Sequence, residues 1–150
     1  DMKVQDFRDV IDIDLVAPFI MAKTIVPGMI KRGHGKIINM CSMMSELGRD
    51  TVSAYASAKG GLKMLTRSMA TEWAKYNINV NAIAPGYFRT PLTKPLQEDP
   101  VRSAQILSRI PMQRWGEPDD LKGIVVFLAS EASNYVTGQV IFVDGGWMAS

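Results

Sequence analysis

Cysteine is nearly missing from this chain of 150 residues: Cys41 stands alone. One thiol can form no intrachain disulfide and no multi-thiolate metal site, so no metal is expected and a reducing, cytoplasmic setting fits. Excess charge of one sign is missing too. Seventeen Lys and Arg against fifteen Asp and Glu leave a formal charge of +2, and the basic residues are scattered, so nucleic acid is not an expected partner. No stretch approaches the ~20 apolar residues of a membrane span, and "DMKVQDFRDV" lacks the basic start and apolar middle of a signal peptide. No membrane partner is expected. An initiator Met is lacking and the chain begins in helix-like sequence, which raises the expectation that the start of a longer protein is missing. What is present, 47% hydrophobic and 21% charged residues, suits one globular domain with its own core.

From Val4 to about Ile30, Phe7, Val10, Ile11, Leu15, Phe19, Ala22 and Ile25 recur at helical spacing, with a break or bend expected near Ala17-Pro18. "KRGHG" ends that helix, and "KIINM" reads as a short strand followed by a polar stretch, Ser42 to Thr51. A second helix is expected from Thr51–Ser53, where a hydroxyl would cap free N–H groups, to about Tyr76. "INVNAIAP", Ile78 to Pro85, alternates like a strand and runs into a Pro-Gly loop. Tyr87 to Glu117, interrupted by four prolines, reads as loop around a short helix, an excursion of the length often used as a lid. Pro118 opens a helix striped by Leu121, Ile124, Val125 and Leu128, and "QVIFVDGG" is a last strand and turn. The alternation predicts an α/β domain with a parallel sheet. Three strands are few for a sheet covered on both faces, so more are expected upstream.

Tyr55 and Lys59 stand at i and i+4 near the start of the second helix, so both rise from one face. An adjacent ammonium and the positive end of a helix dipole favour a phenolate, which lets a tyrosine exchange a proton near neutral pH. The pair alone is weak evidence, because chance supplies one about a quarter of the time at this composition. Ser42 strengthens it. This serine lies just past a strand, at the end where open α/β sheets gather ligands, thirteen positions before Tyr55.

This Ser, thirteen-residue gap, Tyr-x-x-x-Lys arrangement resembles the short-chain dehydrogenases/reductases. The resemblance continues, in family order, through "GKIINMCS", "YASAKGGL", "INVNAIAPG", "RWGEPDDL", "VFLASEAS" and "VTGQVIFVDGG". It implies the C-terminal half of a doubly wound Rossmann-like fold, with a mainly parallel sheet and flanking helices, and a single N-terminally truncated domain over 1–150. It also implies an oxidoreductase using NAD or NADP. By resemblance Tyr55 gives a proton to a carbonyl or takes one from an alcohol, and Ser42 hydrogen-bonds the same oxygen. Lys59 lowers the Tyr55 pKa and binds the cofactor ribose. Pro85 and Gly86 shape the next loop, the Phe88 backbone meets the nicotinamide carboxamide, and Thr90 offers a hydroxyl to the carboxamide or phosphates. Without the resemblance, Pro85-Gly86 is an ordinary turn.

The chain departs from the family pattern twice. The usual Asn-Leu, forty-one residues before the tyrosine, is Asp14-Leu15 in "VIDIDLVAPF", and an aspartate cannot donate as Asn does. Asp14 is either a fourth catalytic member, kinking the helix and presenting a carbonyl near Lys59, or a solvated helix carboxylate. The family's Gly-rich phosphate turn is absent; "KGGLK" and "VDGGW" read as packing or turn glycines. A dinucleotide should bind poorly to these residues alone, and the choice of NAD or NADP lies elsewhere.

Within the family, "INMCSMMSELGRDTVSAYASAKGGLKMLTR" and "IDIDL" are similar to the gluconate 5-dehydrogenases. "EWAKYNINVNAIAPGY", "RSAQILSRIP" and "VDGGW" are similar to the 2-dehydro-3-deoxy-D-gluconate 5-dehydrogenases. The shared implication is oxidoreduction at C5 of a gluconate-like sugar acid. Such a substrate needs cations for its carboxylate and polar groups for its hydroxyls. Arg49 and Arg89 are the candidate loop cations, Ser42, Ser45, Glu46 and Tyr55 candidate polar lining, and Met43 and Met44 a candidate apolar wall. Each also has a plainer reading, Arg49 as a solvated charge and the methionines as core. A homodimer or homotetramer is implied by resemblance, through the first long helix and the small-residue face Ala54, Ala58, Gly61 and Leu62, although burial within one chain gives the same pattern. Alternative activities are a 3-oxoacyl-carrier-protein reductase or another ketone reductase of the family. A noncatalytic or inactive fragment with a structural or dinucleotide-binding role is the alternative outside catalysis.

Overall fold

The computed structural model describes all 150 residues. A helical rod opens the chain as α1 (Val4–Ile11), a π turn (Asp12–Val16) and α2 (Ala17–Arg32). It continues with β1 (Gly35–Met40), α3 (Ser53–Trp73), β2 (Ile78–Pro85), α4 (Lys94–Glu98), α5 (Pro100–Leu107), α6 (Lys122–Ala129) and β3 (Val140–Val143). The strands form one parallel sheet in the order β1-β2-β3, pairing Gly35 with Ile78 and Ala82 with Val140 at the starts of the two ladders. Parallel neighbours require crossovers, which α3 and α6 supply.

The bend near Pro18 takes the form of a π turn. Proline has no N–H to give the carbonyl four residues back, that of Asp14, and its ring crowds that position. The helix widens there, with the Ala17 N–H reaching back to the Asp12 carbonyl. Gly33 then ends α2 in the left-handed region (φ 73°). Because the rod is nearly unbroken, Val4–Arg32 is long and apolar enough to cross a membrane by length and composition, which corrects the sequence expectation. It lies across the sheet here, where Ala22 and Val26 join Ile37, Met69, Ala70, Ile78 and Val80 in one core cluster.

Central strand β2 is buried from Ile78 to Ala84, so its alternation does not mark a solvated face. Asn79 and Asn81 point to the face opposite α2 and α3, and both are satisfied. Asn79 Nδ2 donates to the Asn134 and Val136 carbonyls (both 3.1 Å), and Asn81 Nδ2 donates to the Val136 carbonyl (2.8 Å). Helix α3 starts where expected but without the expected hydroxyl cap. Its N-cap is Val52, and Thr51, left-handed at φ 65°, turns its Oγ1 onto the Asp50 carbonyl. Of the stripe expected on the last helix, Leu128 is buried and Val125 exposed.

The excursion from Tyr87 to Glu117 holds two short helices rather than one. Asp99 separates them and caps α5, its Oδ1 accepting from the Val101 and Arg102 N–H groups at 2.9 and 3.0 Å. Both ends of the excursion are stitched together: the Arg89 N–H donates to the Gly116 carbonyl (2.8 Å) and the Gly116 N–H to the Tyr87 carbonyl (2.9 Å). Ile106, Ile110, Trp115 and Trp147 form a second core cluster with Met43, which seats the excursion against the turn after β1.

Candidate active site

Ser42, Tyr55 and Lys59 gather at the C-terminal ends of the strands. Ser42 is extended (φ −157°) and stands before a short 3₁₀ turn, Met43–Ser45. Its Oγ accepts from the Met44 N–H (3.2 Å), while its own N–H donates to Ser45 Oγ (3.2 Å). This reciprocal cap locks the serine backbone and leaves the Ser42 hydroxyl proton free to be donated. Tyr55 in the first turn of α3 remains 36% exposed. Lys59, one turn on, is buried, with Nζ 5.5 Å from the Tyr55 ring centroid.

Lys59 Nζ donates to Asp14 Oδ1 (3.0 Å) and to the Met40 carbonyl at the end of β1 (2.9 Å). Asp14 is therefore not a solvated helix carboxylate: it ion-pairs with Lys59 from the π turn that Pro18 produces. Two of the three ammonium protons are committed, and one remains for a ligand. Cys41, next to Ser42, is buried, and burial pushes its thiol up despite a hydrogen bond with Ser45 and the charges of Lys59 and Lys63. It is a packing residue, not a nucleophile.

The Pro-Gly loop sits beside this cluster at the end of β2. Gly86 is required by a close approach: a Cβ there would lie 2.7 Å from Asp144 Cα, beyond the end of β3. Phe88 is buried, and its carbonyl accepts from Thr93 Oγ1 (2.5 Å). Thr90 caps the turn Pro91–Thr93, with its hydroxyl 3.2 Å from that of Thr93. Arg89 is committed elsewhere, its Nε 3.0 Å from Glu117 Oε1 and its Nη1 donating to Gln97. Glu46 accepts from Lys63 Nζ (2.8 Å), which ties the turn after Ser42 to α3. Met43 and Ser45 are buried.

Arg49 and Met44 line a cleft of about 310 Å³ together with Tyr87, Arg102, Arg109 and Trp147. The arginines of α5 and the turn after it were not singled out in the sequence. A helical signal was there: Arg102, Gln105, Ile106 and Arg109 fall at i, i+3, i+4 and i+7, and all four line the cleft. Of the paired glycines, Gly61 packs against Leu15, where a Cβ would lie 2.8 Å away, and Gly145 and Gly146 hold a left-handed turn (φ 67° and 93°). Ala54, Ala58 and Leu62 are buried within the chain, so that small-residue face is occupied by its own fold.

The family model described as enoyl-(acyl carrier protein) reductase, a short-chain dehydrogenase model, matches residues 1–148. A 2-dehydro-3-deoxy-D-gluconate 5-dehydrogenase of Formosa agariphila is 57% identical over 152 residues, covering 100% of this chain and 57% of its own length. A 5-keto-D-gluconate 5-reductase of Escherichia coli K12 is 49% identical over 146 residues, 97% of this chain and 58% of its own. Among solved structures, a gluconate 5-dehydrogenase from Burkholderia cenocepacia in complex with NADP and tartrate superposes with a TM-score of 0.96 at 44% identity. That match covers 99% of this chain and 58% of the other. The chain thus spans less than two thirds of the length of these relatives.

Proposed function

The chain belongs to the short-chain dehydrogenase/reductase family, and from that premise we propose that it carries the catalytic, C-terminal part of an oxidoreductase acting at C5 of a gluconate-like sugar acid. The observation that carries this reading is the convergence of Ser42, Tyr55 and an anchored Lys59 beside the Pro-Gly loop. The substrate class is supported by the relatives, a 2-dehydro-3-deoxy-D-gluconate 5-dehydrogenase, a 5-keto-D-gluconate 5-reductase and a gluconate 5-dehydrogenase.

These residues fit the nicotinamide end of a dinucleotide. Lys59 keeps one donor for the ribose, and the loop from Pro85 to Thr90 lies at the strand end beside Tyr55's cluster. When bound, NAD or NADP would supply or accept the hydride that no side chain can carry. NADP is the nucleotide in the Burkholderia relative. No residue set here resembles a phosphate cradle, since the paired glycines serve packing and turns.

In the reductive direction Tyr55 transfers its hydroxyl proton to the substrate oxygen as that oxygen gains charge, and in the oxidative direction it receives the alcohol proton. Ser42 donates its free O–H to the same oxygen, a bond that strengthens as charge develops. The Lys59 ammonium stands 5.5 Å from the Tyr55 ring centroid, beside the proton that moves, and Asp14 and the Met40 carbonyl hold it in place. The roles of Asp14, Ser42, Tyr55 and Lys59, and of Met44 and Arg49 beside the substrate, belong to this proposal.

A homodimer or homotetramer in the cytoplasm suits it as well. Phe19, Ile20, Met21 and Ile25 of α2 are left exposed, which supports pairing of that helix with a second copy. The test is a panel assay of the full-length protein with NADH and NADPH. Turnover of 5-ketogluconate or 2,5-diketo-3-deoxygluconate is expected; turnover of acetoacetyl thioesters alone would make it a 3-oxoacyl reductase instead.

A further inference from the structure

We propose that the cleft between the turn after Ser42 and α5 is the seat of the substrate carboxylate, held by Arg102 and Arg109 with Arg49 at its side. This rests on the sugar-acid reading and names the residues that select for the acid. Three of the ten residues lining the cleft are arginines, and none is Asp or Glu. No carboxylate pairs with any of the three; the chain's ion pairs use Arg89, Arg114 and lysines. Three exposed guanidiniums without a carboxylate partner leave this acid-free cleft positive, a field that favours an anion.

The arginines are positioned. Arg109 Cζ lies 4.1 Å from the Trp147 ring centroid, a stacked cation that presents its N–H groups at the edge of its plane. Trp147 is in turn packed on Tyr87, with ring centroids 5.1 Å apart, and its buried indole N–H has no partner in the chain. Arg102 Nη1 donates to Gln105 Oε1 (3.1 Å), one turn along α5. Ile106, Leu47 and Met44 supply apolar surface, and a volume of about 310 Å³ suits a small acid. Met44 joins the cleft to the catalytic serine, since its N–H is bonded to Ser42 Oγ. A ligand seated there carries its charge at one end and its reacting carbon toward Ser42. Guanidinium forks bind carboxylates in bidentate fashion, so a neutral polyol of the same length loses the contacts that the acid gains.

The test is calorimetric titration of the full-length protein with D-gluconate and with D-glucitol, its uncharged counterpart. Arg102→Gln and Arg109→Gln are compared with Arg67→Gln on the exposed side of α3. Arg102 is exposed on a capped helix, so its variant should fold even where loss of the Trp147 stack harms the Arg109 variant. Gluconate affinity is expected to fall about tenfold or more in Arg102→Gln and in any folded Arg109→Gln, with Arg67→Gln unchanged and glucitol weak throughout. Gluconate affinity within twofold of wild type in Arg102→Gln, or glucitol binding as tightly as gluconate, would overturn the proposal. Its failure separates from that of the sugar-acid reading. A sugar acid bound through these arginines but never turned over sinks only the activity, whereas turnover with an unchanged KM in Arg102→Gln sinks only the carboxylate seat.

Discussion

Asp14 Oδ1 lies 3.0 Å from Lys59 Nζ, joining a π turn near the start of the chain to the lysine one helical turn beyond Tyr55. The lysine's other contact is the carbonyl of Met40, the last residue of β1, so three elements converge on one ammonium. The widened turn follows from Pro18 four residues after Asp14, and the ion pair from that turn's place beside α3.

Replacing Asp14 by Ala is expected to leave Lys59, whose side chain is only 10% exposed, without its anion. The folded state should lose about 1–3 kcal/mol. Asn keeps an acceptor oxygen at the same place, so Asp14→Asn should recover part of that loss. Chemical denaturation of both variants measures the difference; equal stability of Asp14→Ala and wild type would show that the pair holds nothing.

Removing the Ser42 hydroxyl as Ser42→Ala is expected to lower kcat by roughly a hundredfold, with KM moving far less, as for the loss of one donor to a developing oxyanion. Steady-state kinetics on the full-length protein give the split. A rise in KM alone would make Ser42 a binding residue.

Two glycines should respond in opposite ways to alanine. At Gly86 a Cβ would meet backbone, 2.7 Å from Asp144 Cα, and overpacking is expected to cost about 1–3 kcal/mol. At Gly123 in α6 nothing lies within 4 Å of the new Cβ, so Gly123→Ala should stabilise by about 0.5–1 kcal/mol through helix propensity. Thermal unfolding of the pair reads both signs.

Asp120 carries a pH dependence of its own. A hydrogen bond from Arg114, then one from the Glu117 N–H, brings its carboxyl down to about 2. A depressed folded value means that its stabilising share is fully present above the usual carboxylate range and is lost as pH falls toward 2. Asp120→Asn should therefore flatten the acid side of the stability–pH curve below about pH 4, as followed by melting temperature.

Much of this was legible in the residues. Ile78–Pro85 is a strand with the bounds its pattern suggests, because a strand closed by Pro-Gly has an unambiguous end. Helix periodicity alone puts Tyr55 and Lys59 on one face, where Lys59 Nζ stands 5.5 Å from the Tyr55 ring centroid. Tertiary terms hid the rest. The pattern of Ile78–Pro85 does not tell where Asn79 and Asn81 find partners; backbone carbonyls after α6 satisfy them in a buried strand. Thr51 offers a cap that its left-handed backbone turns away. Arg102 and Arg109 lie between Pro100 and Pro111, which mask the i, i+7 relationship of so short a helical segment, and Asp14's partner lies forty-five residues away.

The most direct measurement compares Tyr55→Phe with wild type in the full-length protein, following nicotinamide absorbance with 5-ketogluconate. Wild type is expected to turn over, and Tyr55→Phe to retain the fold and lose about a hundredfold or more in kcat, as for removal of a general acid. Turnover by Tyr55→Phe at the wild-type rate would contradict the role given to Ser42, Tyr55 and Lys59.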